Sequence, residues 1–321
     1  MQKYQKYFGI DVSKNHLDIA QYLPETNTTN YLIRIKNTPE AIETWLKTMD
    51  MAESLVCMEH TGLYINFLVM VLHQQKIDTW VENGLQIKRS LGVQKGKNDK
   101  IDAQRIAKYA FRCQDECRLY LPCSEVLEKL QVLQHLQNKL KDTLEQYEVP
   151  LNESKIFSAN THKLLEKHTE KIITELKKVI KEIETEILEC IANDEGLKKK
   201  YDLINSVTNV GKQTAITLLV VTRGFTKFDN VKQLASYAGV APFDNSSGKR
   251  TNPDHTSSLC HKPLKAILYM CALGTIKTKE DLSAYYHQKR KEGKKHRVVM
   301  NAVSNKILQR IWSVVINQKN C

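Results

Sequence analysis

Asp11 and Glu59 each close a short apolar run, Tyr7-Phe8-Gly9-Ile10 and Leu55-Val56-Cys57-Met58. Asp99 and Asp102 stand three residues apart at the start of a helical segment and so share one face of it. Carboxylates brought this close repel one another unless a cation neutralises them. A ligand set made only of oxygens selects magnesium or manganese. Two such ions about 4 Å apart can clamp the attacking and leaving oxygens of a phosphoryl transfer. Each acid also has an ordinary reading. Asp11 could cap the turn Val12-Ser13-Lys14, and Glu59 could pair with a lysine. Asp99 could be a helix N-terminal charge favoured by the dipole, and Asp102 could pair with Arg105 or Lys95. Singly, the ordinary readings are preferred; the metal site is the better account of all four together.

The elements that must position these acids alternate between strand and helix over residues 1 to about 112. Tyr7 to Val12 is a strand-type apolar run, and His16 to Leu23 and Tyr31 to Ile35 are two further strands. Thr38 caps a helix that has Pro39 at its first position and runs through Trp45 and Leu46. Leu55 to Met58 reads as a buried strand, Gly62 to Gln75 as a helix and Ile77 to Val81 as a strand. Asn98 or Asp99 then starts a helix through Ile101, Ile106 and Tyr109. Three strands followed by βα units imply a mixed sheet flanked by helices, in a ribonuclease-H-like order. Acids at the carboxyl ends of adjacent strands converge on one edge of such a sheet.

Residues 124 to 192 carry a different pattern. Val126, Leu130, Leu133, Gln137, Leu140, Leu144 and Tyr147 step by four and three, a heptad seam with one polar position that is expected to stop at Pro150. A second helix carries Ile172, Leu176, Val179, Ile183 and Ile187. The pair reads as a helical hairpin or a coiled-coil oligomer interface, with a plain helical bundle as the alternative.

In residues 200 to 321, Ile204 to Lys212 leads into a helix from Gln213 to Val221. Gly211 and Lys212 sit where backbone N–H groups could meet a phosphate. Residues 241 to 263 are rich in Pro, Ser, Asn and Gly and read as a long loop. Helices are expected from Pro263 to about Thr278 and from Arg297 to Asn317. The run Lys289 to Arg297 between them is a phosphate-contacting loop or a solvated face.

The 321 residues suggest two or three domains, and a formal net charge of +12 favours polyanionic partners. The eight cysteines form no CxxC pair, and their scatter suits reduced thiols better than a disulfide framework. His255, Cys260 and His261 match no zinc spacing. The N-terminus lacks the apolar core of a signal peptide, and no stretch reads as a bilayer span. The expectation is a cytoplasmic protein with no membrane partner.

The ordered motifs resemble a known family. Gly9-Ile10-Asp11-Val12-Ser13-Lys14, Glu59-His60-Thr61-Gly62-Leu63-Tyr64 and Lys97-Asn98-Asp99-Lys100-Ile101-Asp102-Ala103 are similar to the acidic motifs of the DEDD-type insertion-sequence transposases. That family includes the pilin-gene invertases and the bridge-RNA-guided recombinases. Val207-Thr208-Asn209-Val210-Gly211 resembles its glycine turn. The segment from Phe228 through Leu234-Ala235-Ser236-Tyr237-Ala238-Gly239-Val240-Ala241-Pro242 resembles the run before its serine, and Ser247-Gly248-Lys249 the dipeptide that carries the nucleophile. The chain departs from the pattern in having Asn98 where threonine is common. It also lacks the glycine of a Ser-Lys-x-Gly segment in Ser258 to Lys265, where Lys265 stands in place of an arginine.

The resemblance implies three regions: a RuvC-like (ribonuclease-H-like) catalytic domain at 1–115, a coiled-coil or helical hairpin at 124–192, and a mostly helical transposase domain at 200–321. It implies a metal (Mg²⁺ or Mn²⁺) held by Asp11, Glu59, Asp99 and Asp102, and Ser247, with Ser246 as its adjacent alternative, attacking a scissile phosphate. It further implies double-stranded DNA and a structured guide RNA as partners, and a homo-oligomer, dimer or tetramer. Lys95, Lys97, Lys100, Arg105, Gly211, Lys212, Lys249 and Arg250 are the expected nucleic-acid contacts. Two rivals stand beside this transposase reading: a RuvC-like endonuclease that needs the acids but not Ser247, and a non-catalytic DNA-binding protein.

Overall fold

The computed structural model describes residues 4–90, 92, 98–241, 243–247, 250–255, 260–279 and 281–319; in 243–247 and 250–255 it describes the backbone. Lys95, Lys97 and Lys249 lie outside the described residues. The chain divides into two compact units, Met1–Pro122 and Cys123–Cys321.

The first unit is built on a five-stranded mixed sheet. Its strands are β1 (Lys6–Val12), β2 (His16–Leu23), β3 (Thr28–Lys36), β4 (Ser54–Glu59) and β5 (Asp78–Glu82), in the order β3-β2-β1-β4-β5. β1 pairs antiparallel with β2 and parallel with β4. The hairpins β1-β2 and β2-β3 and the parallel pair β4-β5 complete the mixed pattern expected from sequence. β3 is longer than its apolar core because it pairs with β2 from Thr28 to Lys36.

Side chains alternate across the sheet, and both faces are covered. Phe8, Ile10, Val12, Val56 and Met58 pack on one face against Ile42 and Trp45 of α1 (Pro39–Lys47) and Leu68 and Leu72 of α2 (Asn66–Gln74). Thr38 caps α1 as expected. The segment read as one helix from Gly62 divides into a 3₁₀ turn, Gly62–Ile65, and then α2. On the other face Tyr7, Leu55, Cys57, Tyr22 and Trp80 pack with Ile106, Ala107, Tyr109 and Ala110. Those last four belong to α4 (Asp99–Arg112), which follows α3 (Gly84–Ser90). α4 starts where Asn98 Oδ1 accepts the Lys100 amide at 3.1 Å, a side-chain cap for an otherwise orphaned donor.

The second unit is almost entirely helical: α5 (Glu125–Glu153), α6 (Ala159–Ala192), α7 (Glu195–Asn205), α8 (Lys212–Val221), α9 (Val231–Tyr237), α10 (Lys262–Thr275), α11 (Asp281–Lys291) and α12 (His296–Asn317). α12 buries Val299, Met300, Val303, Ile307, Leu308, Ile311 and Val314, the i, i+4, i+7 stripe of a helix at the centre of a bundle. α5 and α6 pack on one another. Gln134 of α5, beside the seam position Leu133, donates to Thr217 Oγ1 of α8 at 2.8 Å, so α5 faces the bundle as well as its hairpin partner.

Four sequence expectations are corrected here. α5 does not stop at Pro150 but runs to Glu153: a proline in the last turn forfeits one bond, and Ser154 restores the cap by donating its amide to Pro150 and Asn152. In α6 the buried residue is Ile173 rather than the exposed Ile172, followed by Ile183, Ile187 and Ile191. Residues 241 to 263 are not one loop. They contain an antiparallel hairpin, β6 (Phe243–Ser247) and β7 (Arg250–His255), in which Ser247 pairs with Arg250. The charge run 289 to 297 is not a loop throughout but the end of α11, a turn at Gly293 and the start of α12, and its exposure from Arg290 to Arg297 agrees with the solvated-face alternative. Among the described residues no helix is long and apolar enough to cross a membrane.

Gly9 has no room for a side chain: a Cβ there would lie 2.1 Å from the Ala107 amide nitrogen and 2.3 Å from the Ala103 carbonyl oxygen. Both neighbours are backbone and cannot swing aside. Gly9→Ala should therefore lower the stability of the first unit by about 1–3 kcal/mol or more, read as a lower urea midpoint at an unchanged slope.

Candidate functional site

Period-two alternation places Tyr7, Gly9 and Asp11 on the α4 face of β1. Register does the rest. Asp11 pairs directly with Asp18 of β2. Ile10 pairs with Met58, which brings Glu59, the next residue of β4, alongside Asp11. Glu59 in turn pairs with Glu82 of β5. Four carboxylates thus form a row across neighbouring strands at one end of the sheet. Asp18 and Glu82 were not singled out from sequence, although an acid inside the buried strand His16–Leu23 and an acid ending β5 as Glu59 ends β4 were both visible signals.

α4 adds two more acids from above. The Gly9 contact seats the helix against β1, and its first turn carries Asp99 and Asp102. Asp99 Oδ2 accepts from Arg34 Nη2 at 2.8 Å, and Asp102 Oδ1 accepts from Arg105 Nη1 at 2.8 Å. Glu59 is fitted just as closely. A Cβ on Gly84, the first residue of α3, would fall 1.8 Å from Glu59 Oε1, so the absence of a side chain there makes the space that the carboxylate occupies.

Asp11 feels the whole cluster. Its carboxyl is pushed up to about 6, first by burial and then by the negative charges of Asp99, Asp102, Asp18 and Glu59. The other three acids expected from sequence are therefore all within electrostatic reach of Asp11. Tyr109 of α4 lies against the far end of the row, its hydroxyl 3.4 Å from Glu82 Oε2.

The donor set suits a hard divalent cation in kind: oxygen-only, partly desolvated and short of positive charge at Asp11. Among the described residues no group of three or more His, Cys, Asp or Glu side chains stands close enough to hold an ion as it is. Arg34 and Arg105, bonded to Asp99 and Asp102, supply the local positive charge instead.

The remaining expected site residues have these positions. Lys100 lies with its ammonium 4.9 Å from the Tyr31 ring centre. Gly211 is the extended N-cap of α8, with open space where a Cβ would be, and Lys212 is the first residue of that helix. Ser246 and Ser247 end β6 and Arg250 begins β7.

Two family models match the chain. Residues 8–151 match the IS110-type DEDD transposase model, and residues 201–287 match the model of the transposase IS116/IS110/IS902 family. The chain belongs to the IS110-type transposases. Relatives of this transposase include the pilin gene-inverting protein of Moraxella lacunata, 25% identical over 96% of this chain and 95% of the relative. The pilin gene-inverting protein of Moraxella bovis is 24% identical over the same shares. An insertion element IS110 protein of Streptomyces coelicolor is 33% identical over 29% of this chain and 23% of the relative. The transposase is thus a DNA recombinase enzyme whose family binds DNA and whose DEDD domain points to dependence on a divalent metal.

Two outcomes follow from this geometry. Asp11 keeps its proton to higher pH in the folded chain than its ordinary value of 3.8, so the folded state binds more protons and stability falls as pH rises through about 6. Metal-free protein should melt higher at about pH 5 than at about pH 7.5. Asp11→Asn should remove most of that difference and raise the melting temperature at the upper pH. Gly84→Ala should displace the flexible Glu59 carboxylate, weakening Mn²⁺ binding by about tenfold with a smaller effect on melting than Gly9→Ala.

Proposed function

We propose that this transposase cuts and rejoins double-stranded DNA through a metal-assisted phosphoserine intermediate. The single observation that carries the reading is the convergence of Asp11, Glu59, Asp99 and Asp102 at one end of a sheet ordered β3-β2-β1-β4-β5, with Asp11 charge-strained by the others. That order supports a RuvC-like, ribonuclease-H-like assignment for residues 1–115, with a helical hairpin at 124–192 and a transposase domain at 200–321. The four acids would hold Mg²⁺ or Mn²⁺. Bound there, the ion would supply charge stabilisation at the reacting phosphate and lower the pKa of an attacking hydroxyl.

In this mechanism Ser247 Oγ attacks the scissile phosphorus and loses its proton. The bond to the 3′ oxygen breaks, leaving a free 3′ hydroxyl and a phosphoserine ester. After strand exchange, a 3′ hydroxyl attacks the ester phosphorus, the Ser247 oxygen leaves and takes back a proton, and no outside energy is consumed. Ser247 is the last residue of β6 and pairs with Arg250, the first of β7, and such an end-of-ribbon position would suit a nucleophile that must reach a phosphodiester. Lys100, Arg105, Gly211, Lys212 and Arg250, with Lys95, Lys97 and Lys249, would grip the phosphate backbone. A structured RNA would choose the sequence, and a dimer or tetramer in the cytoplasm would bring the strands together.

One observation favours a simpler hydrolytic reading: the first unit holds all four acids by itself, which is all a RuvC-like nuclease requires. Denaturing-gel detection of a protein–DNA adduct, with magnesium, RNA and candidate DNA ends, separates the two. An adduct lost in Ser247→Ala and in Asp11→Ala, but kept in Ser246→Ala, is the expected result. Cleavage without an adduct in any of these proteins would leave a metal-dependent hydrolase.

A further inference from the structure

The acid row contains one member that is not available to a cation. Asp18 is 2% exposed, and both of its oxygens are engaged. Oδ1 accepts from the Tyr31 hydroxyl at 2.9 Å and from Arg34 Nε at 3.1 Å. Oδ2 accepts from Arg34 Nε at 3.1 Å and from Nη2 at 2.9 Å. Asp18 and Arg34 face each other across the β2-β3 ladder, so strand register sets this pair. The same Nη2 of Arg34 then reaches out of the sheet to Asp99 Oδ2 at 2.8 Å. Among the described contacts only Oδ2 of Asp99 is used, which leaves Oδ1 to a further partner.

We propose that Arg34 is a positioning residue: anchored on buried Asp18, it fixes the Asp99 carboxylate for the metal ion it would share with Asp11 and Glu59. The inference rests on the acid-site reading above and adds a residue to it. Three points of the geometry support the role. First, the start of α4 is tied to β3 as well as being seated on β1. β3 supplies that tie three times: Arg34 to Asp99, the Tyr31 ring under the Lys100 ammonium, and the Thr29 carbonyl accepting from Gln104 Nε2 at 3.1 Å. Only the first of these touches an acid of the site. Second, the Arg34–Asp99 pair is half open to solvent, with side-chain exposures of 45% and 58%. Such a pair adds little to folding, so its value lies in orientation. Third, a guanidinium is a rigid fork that can hold two carboxylates in one plane, which a lysine ammonium cannot. Carboxylates that bind metals are commonly held by outer hydrogen bonds of this kind, and losing one typically weakens metal binding 10- to 100-fold, so about that range is expected here.

The test is Mn²⁺ binding to the full-length protein without nucleic acid, followed by the loss of the free-ion signal in electron paramagnetic resonance. Circular dichroism melts are run on the same samples. Arg34→Gln should bind Mn²⁺ at least about tenfold more weakly than wild type, although it removes a positive charge from the neighbourhood of the ion. Arg34→Lys should recover only part of the loss. Because Arg34→Gln leaves Asp18 buried without its partner and could fail to fold, Asp18→Asn/Arg34→Gln is the companion variant. It deletes both charges together, so the net field at the site is nearly unchanged, and weak binding in a protein that melts normally reports lost orientation. Equal or tighter binding in Arg34→Gln or in the double variant overturns the proposal, since Arg34 would then be a stand-in counterion that competes with the metal. Wild-type protein that binds no Mn²⁺, or binds it unchanged in Asp11→Asn, sinks the acid-site reading itself and the role of Arg34 with it.

Discussion

The close approach of α4 to β1 is the contact on which the site depends. A helix normally packs on a sheet through its side chains, which hold the two backbones apart. Here Gly9 lets the helix backbone at Ala103 and Ala107 settle directly on the strand. Small residues on both partners make this possible, and Ile106 and Tyr109 then fill the space to either side. With the helix at that depth its first turn falls beside Asp11. A residue larger than glycine would hold the helix away and carry Asp99 and Asp102 with it.

That geometry concentrates negative charge, and the molecule manages it unevenly. Asp18 is neutralised by Arg34 and Tyr31, Asp102 by Arg105, and Asp99 by the outer arm of Arg34. Asp11 is partly buried among these charges, and burial first and their repulsion second push its carboxyl up. A site that is stable without its ion and still short of positive charge at one carboxylate is poised to take up a cation.

The second unit solves a different problem. Its core is assembled around α12, with α10, α11, α7 and α9 packed on it. The α5-α6 hairpin joins that core through Leu130, Ile183, Ile187 and Ile191. Residues 243–247 and 250–255 pair with one another as an antiparallel ribbon. A two-stranded ribbon is only marginally stable by itself, which suits a segment proposed to engage DNA.

Sequence by itself determined the local elements and offered the four acids as candidates. Period-two apolar runs marked β1, β2 and β4, Thr38-Pro39 marked the start of α1, and Asn98 marked the start of α4, because capping and alternation depend only on near neighbours. The ordered motifs also sufficed to name the family that the comparisons then confirmed. Pairing was decided only in the tertiary structure. Asp18 and Glu82 joined the row through strand register, and Arg34 reached Asp99 across 65 positions of chain. Pro150 was carried inside α5, and a presumed loop became the β6-β7 hairpin, since a helix end and a ribbon are each settled by what they pack against. A glycine at position 9 is compatible with any turn or strand; only the helix laid across it shows why no other residue fits.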